Sequence, residues 1–104
     1  MKLIFVYGIL QKDLSAEEFG MDNKMYKGRA KLFGYTRKSL TSIFQGNQDE
    51  YVEGDIFEVS DSIEESLYQF ENSFGYHRGI THPIRIEDNK MFETISYLLP
   101  DTWR

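Results

Sequence analysis

The chain has 104 residues, the size of a single domain, and we expect one domain over residues 1–104. Its 15% of aromatic residues predicts a packed core, while a net charge of −5 without a basic cluster disfavours nucleic acid as a partner. It contains no cysteine, which excludes disulfides and thiol chemistry and fits a location in the cytoplasm.

The first predicted strand spans Lys2–Val6 and leads into a loop over residues 7–12. Its run of apolar residues predicts a buried strand. At the start of the loop, Gly8 permits a sharp turn, and backbone N–H groups exposed there can hold a carboxylate or an oxyanion. The alternative is that Gly8 only ends the strand. The apolar run is too short for a signal peptide or a membrane span, so we expect no association with a membrane.

The region between the first loop and the main helix is predicted to hold mostly strands. Ser15 is a candidate N-cap for a short helix over residues 14–19. Glycines within residues 25–35 favour a strand that bends. A further strand over residues 39–44, a turn at residues 46–49 and a strand over Tyr51–Val59 complete the region.

The main helix is predicted over residues 62–74, with Ser60 or Asp61 as its N-cap. Its apolar residues recur at the spacing of one buried helical face. Gly75 is suited to end the helix. The members of the apolar face are Ile63, Leu67, Phe70 and Phe74.

Two more strands are predicted after this helix. Alternation from Ile80 to Ile86 predicts the first, and Pro83 favours an edge or a bulge there. A turn at residues 88–89 leads to the last strand, over residues 91–99. This order of elements indicates an α+β fold. We expect a sheet curled into a small β-barrel with the main helix packed against it, and a flat open sheet is the alternative.

Two glutamates of the main helix, Glu64 and Glu71, are the candidate acid–base residues. Both lie at the same edge of the apolar face, so helical phase does not choose between them. Near the N-terminus of the helix, the dipole keeps the carboxyl group of Glu64 acidic. In the last turn, the dipole and the neighbouring Phe70 and Phe74 raise the pKa of Glu71 toward that of a general acid or base. The alternative for Glu71 is a solvated glutamate at a helix edge.

Other residues that could bind a metal or a substrate follow the helix. His77 and His82 lack a third ligand, so we expect no metal site. Tyr76 and Arg78 share one face of a strand, where an aromatic wall and a cation could bind a substrate carboxylate. They could equally be a tyrosine at the start of a strand and a surface arginine. The sequence shows no serine-based triad and no phosphate-binding glycine motif.

Four motifs, in this order and spacing, resemble the gamma-glutamylcyclotransferase-like family, which includes gamma-glutamylamine cyclotransferases and plant avirulence-induced proteins. The resemblance covers most of the chain, and the first and last motifs are the functional ones. The motifs are FVYGIL (5–10), GRAKLFGY (28–35), VEGDIFEVSD (52–61) and LYQFENSFGYHR (67–78).

The resemblance implies a mixed β-barrel with a pocket at its mouth, Glu71 as the catalytic glutamate, and a substrate-binding loop formed by Tyr7, Gly8, Ile9 and Leu10. The implied substrate is a small molecule, a γ-glutamyl amine or amino acid. It is closed into 5-oxoproline with release of the amine and without a cofactor. Ile9 stands where the family usually has Thr or Ser. This departure motivates the alternative, a non-catalytic module that binds a small ligand or a protein on the same fold.

Overall fold

Two sheets and a helix make up the part of the chain that the computed structural model describes, residues 1–7, 20–22, 24–37 and 43–99. The helix, α1, spans Asp61–Asn72. The strands are β1 (Lys2–Val6), β2 (Tyr26–Phe33), β3 (Tyr35–Arg37), β4 (Ile43–Gln45), β5 (Tyr51–Val59), β6 (His77–Thr81), β7 (Ile84–Arg85) and β8 (Thr94–Leu98).

The larger sheet has six strands in the order β6-β8-β1-β5-β2-β7, while β3 pairs with β4 in the second sheet. Strand β1 is antiparallel to β5 and parallel to β8, so the sheet is mixed. With the main helix packed on it, the α+β class is confirmed. Among the described residues, hydrogen bonds do not join β6 to β7, so the sheet does not close into a barrel there. Strand β7 has only two residues and follows Pro83, which has no N–H to extend a ladder.

Side chains alternate along β1, so neighbouring residues enter two separate cores. Ile4 and Val6 belong to the core that contains Leu67 of α1. Phe5, together with Tyr7 just after the strand, belongs to the second core. Because β1 is covered on both sides, its sequence is an uninterrupted apolar run instead of an alternating one.

Helix α1 starts near the predicted residue and ends two residues earlier than predicted. The hydroxyl of Ser60 caps it by accepting the backbone N–H three residues further on, at 3.2 Å. The helix ends at Asn72, and Gly75 beyond it takes a left-handed φ of +92°. Phe74 lies past the helix end and is 64% exposed, so it is not part of the buried face.

No helix in the described part of the chain has the length and apolar character needed to cross a membrane.

Several predicted strands have different boundaries in the structure. The bend expected within residues 25–35 divides them into β2 and β3 at Gly34, whose φ is +87°. The strand predicted from residue 80 starts earlier and is interrupted at Pro83, which separates β6 from β7. The last strand is shorter, and Met91 contributes only an isolated bridge. The helix predicted over residues 14–19 and residues 39–42 of a predicted strand lie outside the described residues.

Candidate active site

Glu71 lies in the last turn of α1 with its side chain half-buried. Burial raises the pKa of Glu71 from its usual 4.5 to about 7. The sequence also predicts a raised pKa for Glu71. The physical cause is the loss of water around the carboxylate. A carboxyl group with this pKa can both accept and donate a proton near neutral pH.

The backbone at the end of α1 turns from Glu71 directly to Tyr76. The carbonyl of Glu71 accepts the N–H of Phe74 at 3.0 Å and that of Tyr76 at 3.1 Å. Nδ2 of Asn72 donates to the carbonyl of Tyr76 at 3.0 Å and reinforces the turn. Tyr76 is buried in the core on the helix side, so this turn is anchored and holds Glu71 in place.

Tyr7 follows the last residue of β1, and its hydroxyl donates to the backbone carbonyl of Tyr97 in β8. Burial raises the pKa of Tyr7, and Tyr76 and the charge of Glu71 raise it further. Burial and contact with Glu64 raise the pKa of Tyr97, and Glu71 again contributes. The charge of Glu71 therefore acts on the phenols of both Tyr7 and Tyr97.

The backbone of Tyr7 is held by Arg37, the last residue of β3. Nη1 of Arg37 donates to the carbonyl of Tyr7 at 2.6 Å, and Nη2 donates to the carbonyl of Glu53 in β5 at 3.2 Å. Burial lowers the pKa of Arg37, but a guanidinium remains charged at any pH a folded protein meets. Local sequence patterns do not reveal the contact of Arg37 with Tyr7, because the two residues are 30 positions apart.

A second cluster surrounds Glu64 near the other end of α1. Glu64 is fully buried, and Nε and Nη2 of Arg78 each donate to its carboxylate at 2.9 Å. The hydroxyl of Tyr97 donates to it at 2.9 Å, and Nζ of Lys2 lies 3.5 Å away. Arg78 also pairs with Glu65 at 2.9 Å. The guanidinium of Arg78 thus contacts two neighbouring carboxylates, those of Glu64 and Glu65.

These contacts explain why the carboxyl group of Glu64 is ionised. Burial by itself would raise its pKa, but hydrogen bonds from Arg78 and Tyr97 outweigh burial and hold the pKa below its usual range. In return, the hydrogen bond to Glu64 raises the pKa of Arg78. Helical phase leaves Glu64 and Glu71 equivalent, and the tertiary contacts separate them into an ion-paired carboxylate and one that can exchange a proton.

A comparison with protein families identifies the family of this chain. The family model described as gamma-glutamyl cyclotransferase, AIG2-like, matches residues 4–103. The chain belongs to this family. A comparison with curated proteins found no match to the sequence.

Solved structures share the fold of this AIG2-like chain. A protein from Arabidopsis thaliana has a TM-score of 0.75 at 22% identity, over 97% of this chain and 63% of that protein. An AIG2-like protein from Mus musculus has a TM-score of 0.75 at 20% identity, over 100% of this chain and 80% of that protein. A gamma-glutamyl cyclotransferase has a TM-score of 0.72 at 21% identity, over 94% of this chain and 66% of that protein. At these identities, the similarity shows the fold alone.

The predicted site residues of this AIG2-like chain fall into three groups. Tyr76 and Glu71 both raise the pKa of Tyr7, and the backbone N–H of Tyr76 donates to the carbonyl of Glu71 at the C-terminal end of α1. The guanidinium of Arg78 contacts the carboxylate of Glu64. Their roles in substrate binding remain predictions. Three further residues lie outside the described part of the chain: Gly8, Ile9 and Leu10.

Two residues of the site, Tyr97 and Arg37, are missing from the sequence predictions. Alternation along the last strand could have placed Tyr97 on the helix side, but its two hydrogen bonds depend on which strands are neighbours. Among the described residues, no three His, Cys, Asp or Glu side chains are grouped as metal ligands would be. Nε2 of His82, one of the two histidines considered above, lies 3.7 Å from Oε2 of Glu93.

Proposed function

We propose that this chain is a cyclotransferase that converts a γ-glutamyl amine or γ-glutamyl amino acid into 5-oxoproline and a free amine, with Glu71 as general acid and base. Membership of the gamma-glutamyl cyclotransferase, AIG2-like family supports the reaction class. The absence of cysteine fits a cytoplasmic location for this activity.

The observation that carries the proposal is the state of Glu71. Its carboxyl group is half-buried, has a pKa of about 7, and contributes to the raised pKa of Tyr7 at the end of β1. A group that is ionised in part of the molecules at neutral pH can take a proton in one step and return it in the next. The ion-paired Glu64 of the same helix cannot do this, because Arg78 stabilises its charge.

The reaction needs proton transfers before and after one acyl transfer. The Glu71 carboxylate takes a proton from the α-ammonium group of the substrate, and the resulting amine attacks the γ-carbonyl carbon of the same molecule. A five-membered ring forms, with negative charge on the carbonyl oxygen. When the bond from that carbon to the leaving nitrogen breaks, protonated Glu71 gives its proton to that nitrogen. The ring nitrogen loses its second hydrogen as a proton to the released amine, which leaves as an ammonium ion. Proximity within one molecule lowers the barrier to ring closure, and the proposed steps use no cofactor.

Backbone donors at the end of β1 are the second requirement of this mechanism. We assign them to the loop of Tyr7, Gly8, Ile9 and Leu10, whose N–H groups would bind the substrate carboxylate or the oxyanion. A change from Thr or Ser to Ile at position 9 removes a hydroxyl group but no backbone donor. The loop therefore keeps the groups that the mechanism uses.

Formation of 5-oxoproline tests the proposal. Purified protein is incubated with γ-glutamyl amines and γ-glutamyl amino acids, and the product is measured by mass spectrometry. We expect Glu71→Gln to lower kcat about 1000-fold, since it removes the acid–base group without changing its size. For the wild type, kcat/KM should rise with pH through about 7, as Glu71 becomes ionised.

The control is Glu65→Gln, the same change on the same helix at a side chain that is 56% exposed, and it should retain activity. Equal activity of wild type and Glu71→Gln would overturn the mechanism. If neither protein turns substrate over, but both retain the same intact metabolite after purification, the non-catalytic binding module is the better explanation.

A further inference from the structure

We propose that Asn72 is a positioning residue for Glu71: its side-chain amide closes the turn that ends α1, and so fixes the helical turn that carries Glu71 to the buried Tyr76. The role in turnover rests on the proposed function. The role in the geometry of the turn does not, and the two are tested separately.

The chain leaves α1 through a Schellman motif, a turn closed by two backbone hydrogen bonds. The N–H of Tyr76 donates to the carbonyl of Glu71 at 3.1 Å, and the N–H of Gly75 donates to the carbonyl of Asn72 at 2.9 Å. Gly75 takes the left-handed φ of +92° that is typical of this motif. Glu71 and Tyr76 are therefore the first and last residues of the closed turn.

The first and last residues of a Schellman motif are commonly apolar and contact each other. Here Tyr76 is buried in the core on the helix side, whereas Glu71 brings a carboxyl group to the position that an apolar residue commonly occupies. This position explains why Glu71 is half-buried although it lies at the end of a helix. Because burial is the cause of the raised pKa of Glu71, that pKa depends on the turn staying closed.

The side chain of Asn72 adds a third hydrogen bond to this turn. Nδ2 of Asn72 donates to the carbonyl of Tyr76 at 3.0 Å, so both the N–H and the C=O of Tyr76 are bound to the last turn of α1. The backbone carbonyl of Asn72 also accepts from Gly75, so one residue holds the turn at two successive positions. Without the amide, only backbone bonds hold the turn, at a helix end where such bonds fray.

The electrostatic surroundings of Glu71 make its titration a direct measure of this turn. The charge of Glu71 acts on the phenols of Tyr7 and Tyr97, and the pKa of each phenol is raised above its usual 10.0. Both phenols therefore stay protonated while Glu71 titrates near pH 7. The midpoint of Glu71 then reports how well the closed turn keeps water from its carboxylate.

The test measures the titration of Glu71 in Asn72→Ala. In protein labelled with ¹³C at the glutamate carboxyl carbons and free of substrate, the resonance that is missing from Glu71→Gln belongs to Glu71. We expect its midpoint to fall from about 7 in the wild type to about 6 in Asn72→Ala, because water reaches the carboxylate when the turn opens. Asn72 is exposed and alanine favours a helix, so this variant leaves no cavity and should fold.

Kinetics on Asn72→Ala and Asn72→Gln give the second measurement. In Asn72→Ala, the midpoint of the pH profile of kcat/KM should fall together with the midpoint of the carboxyl resonance. We also expect kcat to fall about 10-fold, because the acid–base group is no longer held in place. Asn72→Gln keeps an amide donor on a side chain one carbon longer, and it should recover part of both changes.

The matched control is Ser73→Ala. Oγ of Ser73 donates to the carbonyl of Phe70 at 2.6 Å, so this variant also removes a hydrogen bond from a side chain to the backbone at the end of α1. It leaves the bonds to Tyr76 in place. The midpoint of Glu71 and kcat should therefore be unchanged in Ser73→Ala.

The outcomes separate the two proposals. If the wild type forms no 5-oxoproline, the proposed function fails, and the carboxyl titration still decides the role of Asn72. An unchanged midpoint in Asn72→Ala overturns the inference. An equal fall of the midpoint in Ser73→Ala also overturns it, because the effect would then come from a general loosening of the helix end. For an active wild type, a kcat of Asn72→Ala within about twofold of it overturns the role in turnover.

Discussion

The two glutamates at opposite ends of α1 respond to burial in opposite ways. Glu64 is fully buried, yet its pKa lies below the usual range. Glu71 is only half-buried, yet its pKa rises to about 7. The residues are seven positions apart and lie at the same edge of the helix. Their difference therefore comes from what surrounds each carboxyl group.

Charged and hydrogen-bonding partners account for the contrast. Glu64 receives two hydrogen bonds from Arg78 and one from Tyr97, and it lies near the positive end of the helix dipole. For Glu71, burial is the cause of the shift, and the carboxylate lies at the negative end of the dipole. A buried carboxylate with an arginine partner is thus a structural element, whereas one without such compensation is a candidate for catalysis.

The largest expected effect on stability comes from Glu64→Gln. Neutralising this side chain leaves Arg78 without its buried partner and should lower the free energy of unfolding at pH 7 by about 3 kcal/mol. Urea denaturation monitored by circular dichroism measures the change. Glu65→Gln, which removes only the exposed partner of Arg78, is the control and should have little effect.

The pH dependence of Glu64→Gln sharpens this prediction. The folded-state pKa of Glu64 is lowered, so its stabilising contribution is present above the usual pKa of 4.5 and is lost as the pH falls through the folded-state value. The difference between wild type and variant should therefore shrink in acid. A difference that stays constant down to the acid transition would contradict the ionised state assigned to Glu64.

Glu71→Gln should have the opposite effect on stability. The folded-state pKa of Glu71 is raised from 4.5 to about 7, so ionisation destabilises the folded protein as the pH rises across this window. At pH 8.5 the variant should be more stable than the wild type, by at most about 3 kcal/mol. At pH 4 the two should unfold at the same urea concentration. A variant that is less stable at pH 8.5 would show that the charge of Glu71 is compensated.

Tyr97→Phe should have the smallest effect of the three. It removes one hydrogen bond to the ionised Glu64 but leaves Arg78 in place, so we expect a loss of about 1.5 kcal/mol. In a Glu64→Gln background, most of this loss should disappear, because the hydroxyl no longer contacts a charge. A double-mutant cycle measures this coupling, and additive effects would show that the contact contributes nothing to stability.

The sequence predicts the elements more completely than the contacts between them. Apolar runs and helical spacing predict β1, β5 and α1 with boundaries close to those observed. Glycine and proline account for two of the differences, since Gly34 divides one predicted strand and Pro83 interrupts another. Periodicity also places Glu71 at the boundary of the buried face, as the structure does.

The sequence by itself therefore determined the α+β class, the central buried strand and the helix that carries Glu71, because these follow from local spacing of apolar residues. Position along the helix also predicts the directions of the pKa shifts of Glu64 and Glu71. Only the tertiary structure decided which side chains compensate Glu64 and what holds Tyr7. Arg78 on β6 and Tyr97 on β8 reach Glu64, and Arg37 on β3 reaches the end of β1, across long stretches of chain. A periodic pattern shows which side of an element faces the core. The side chains that a residue contacts there depend on strand order, which local spacing does not encode.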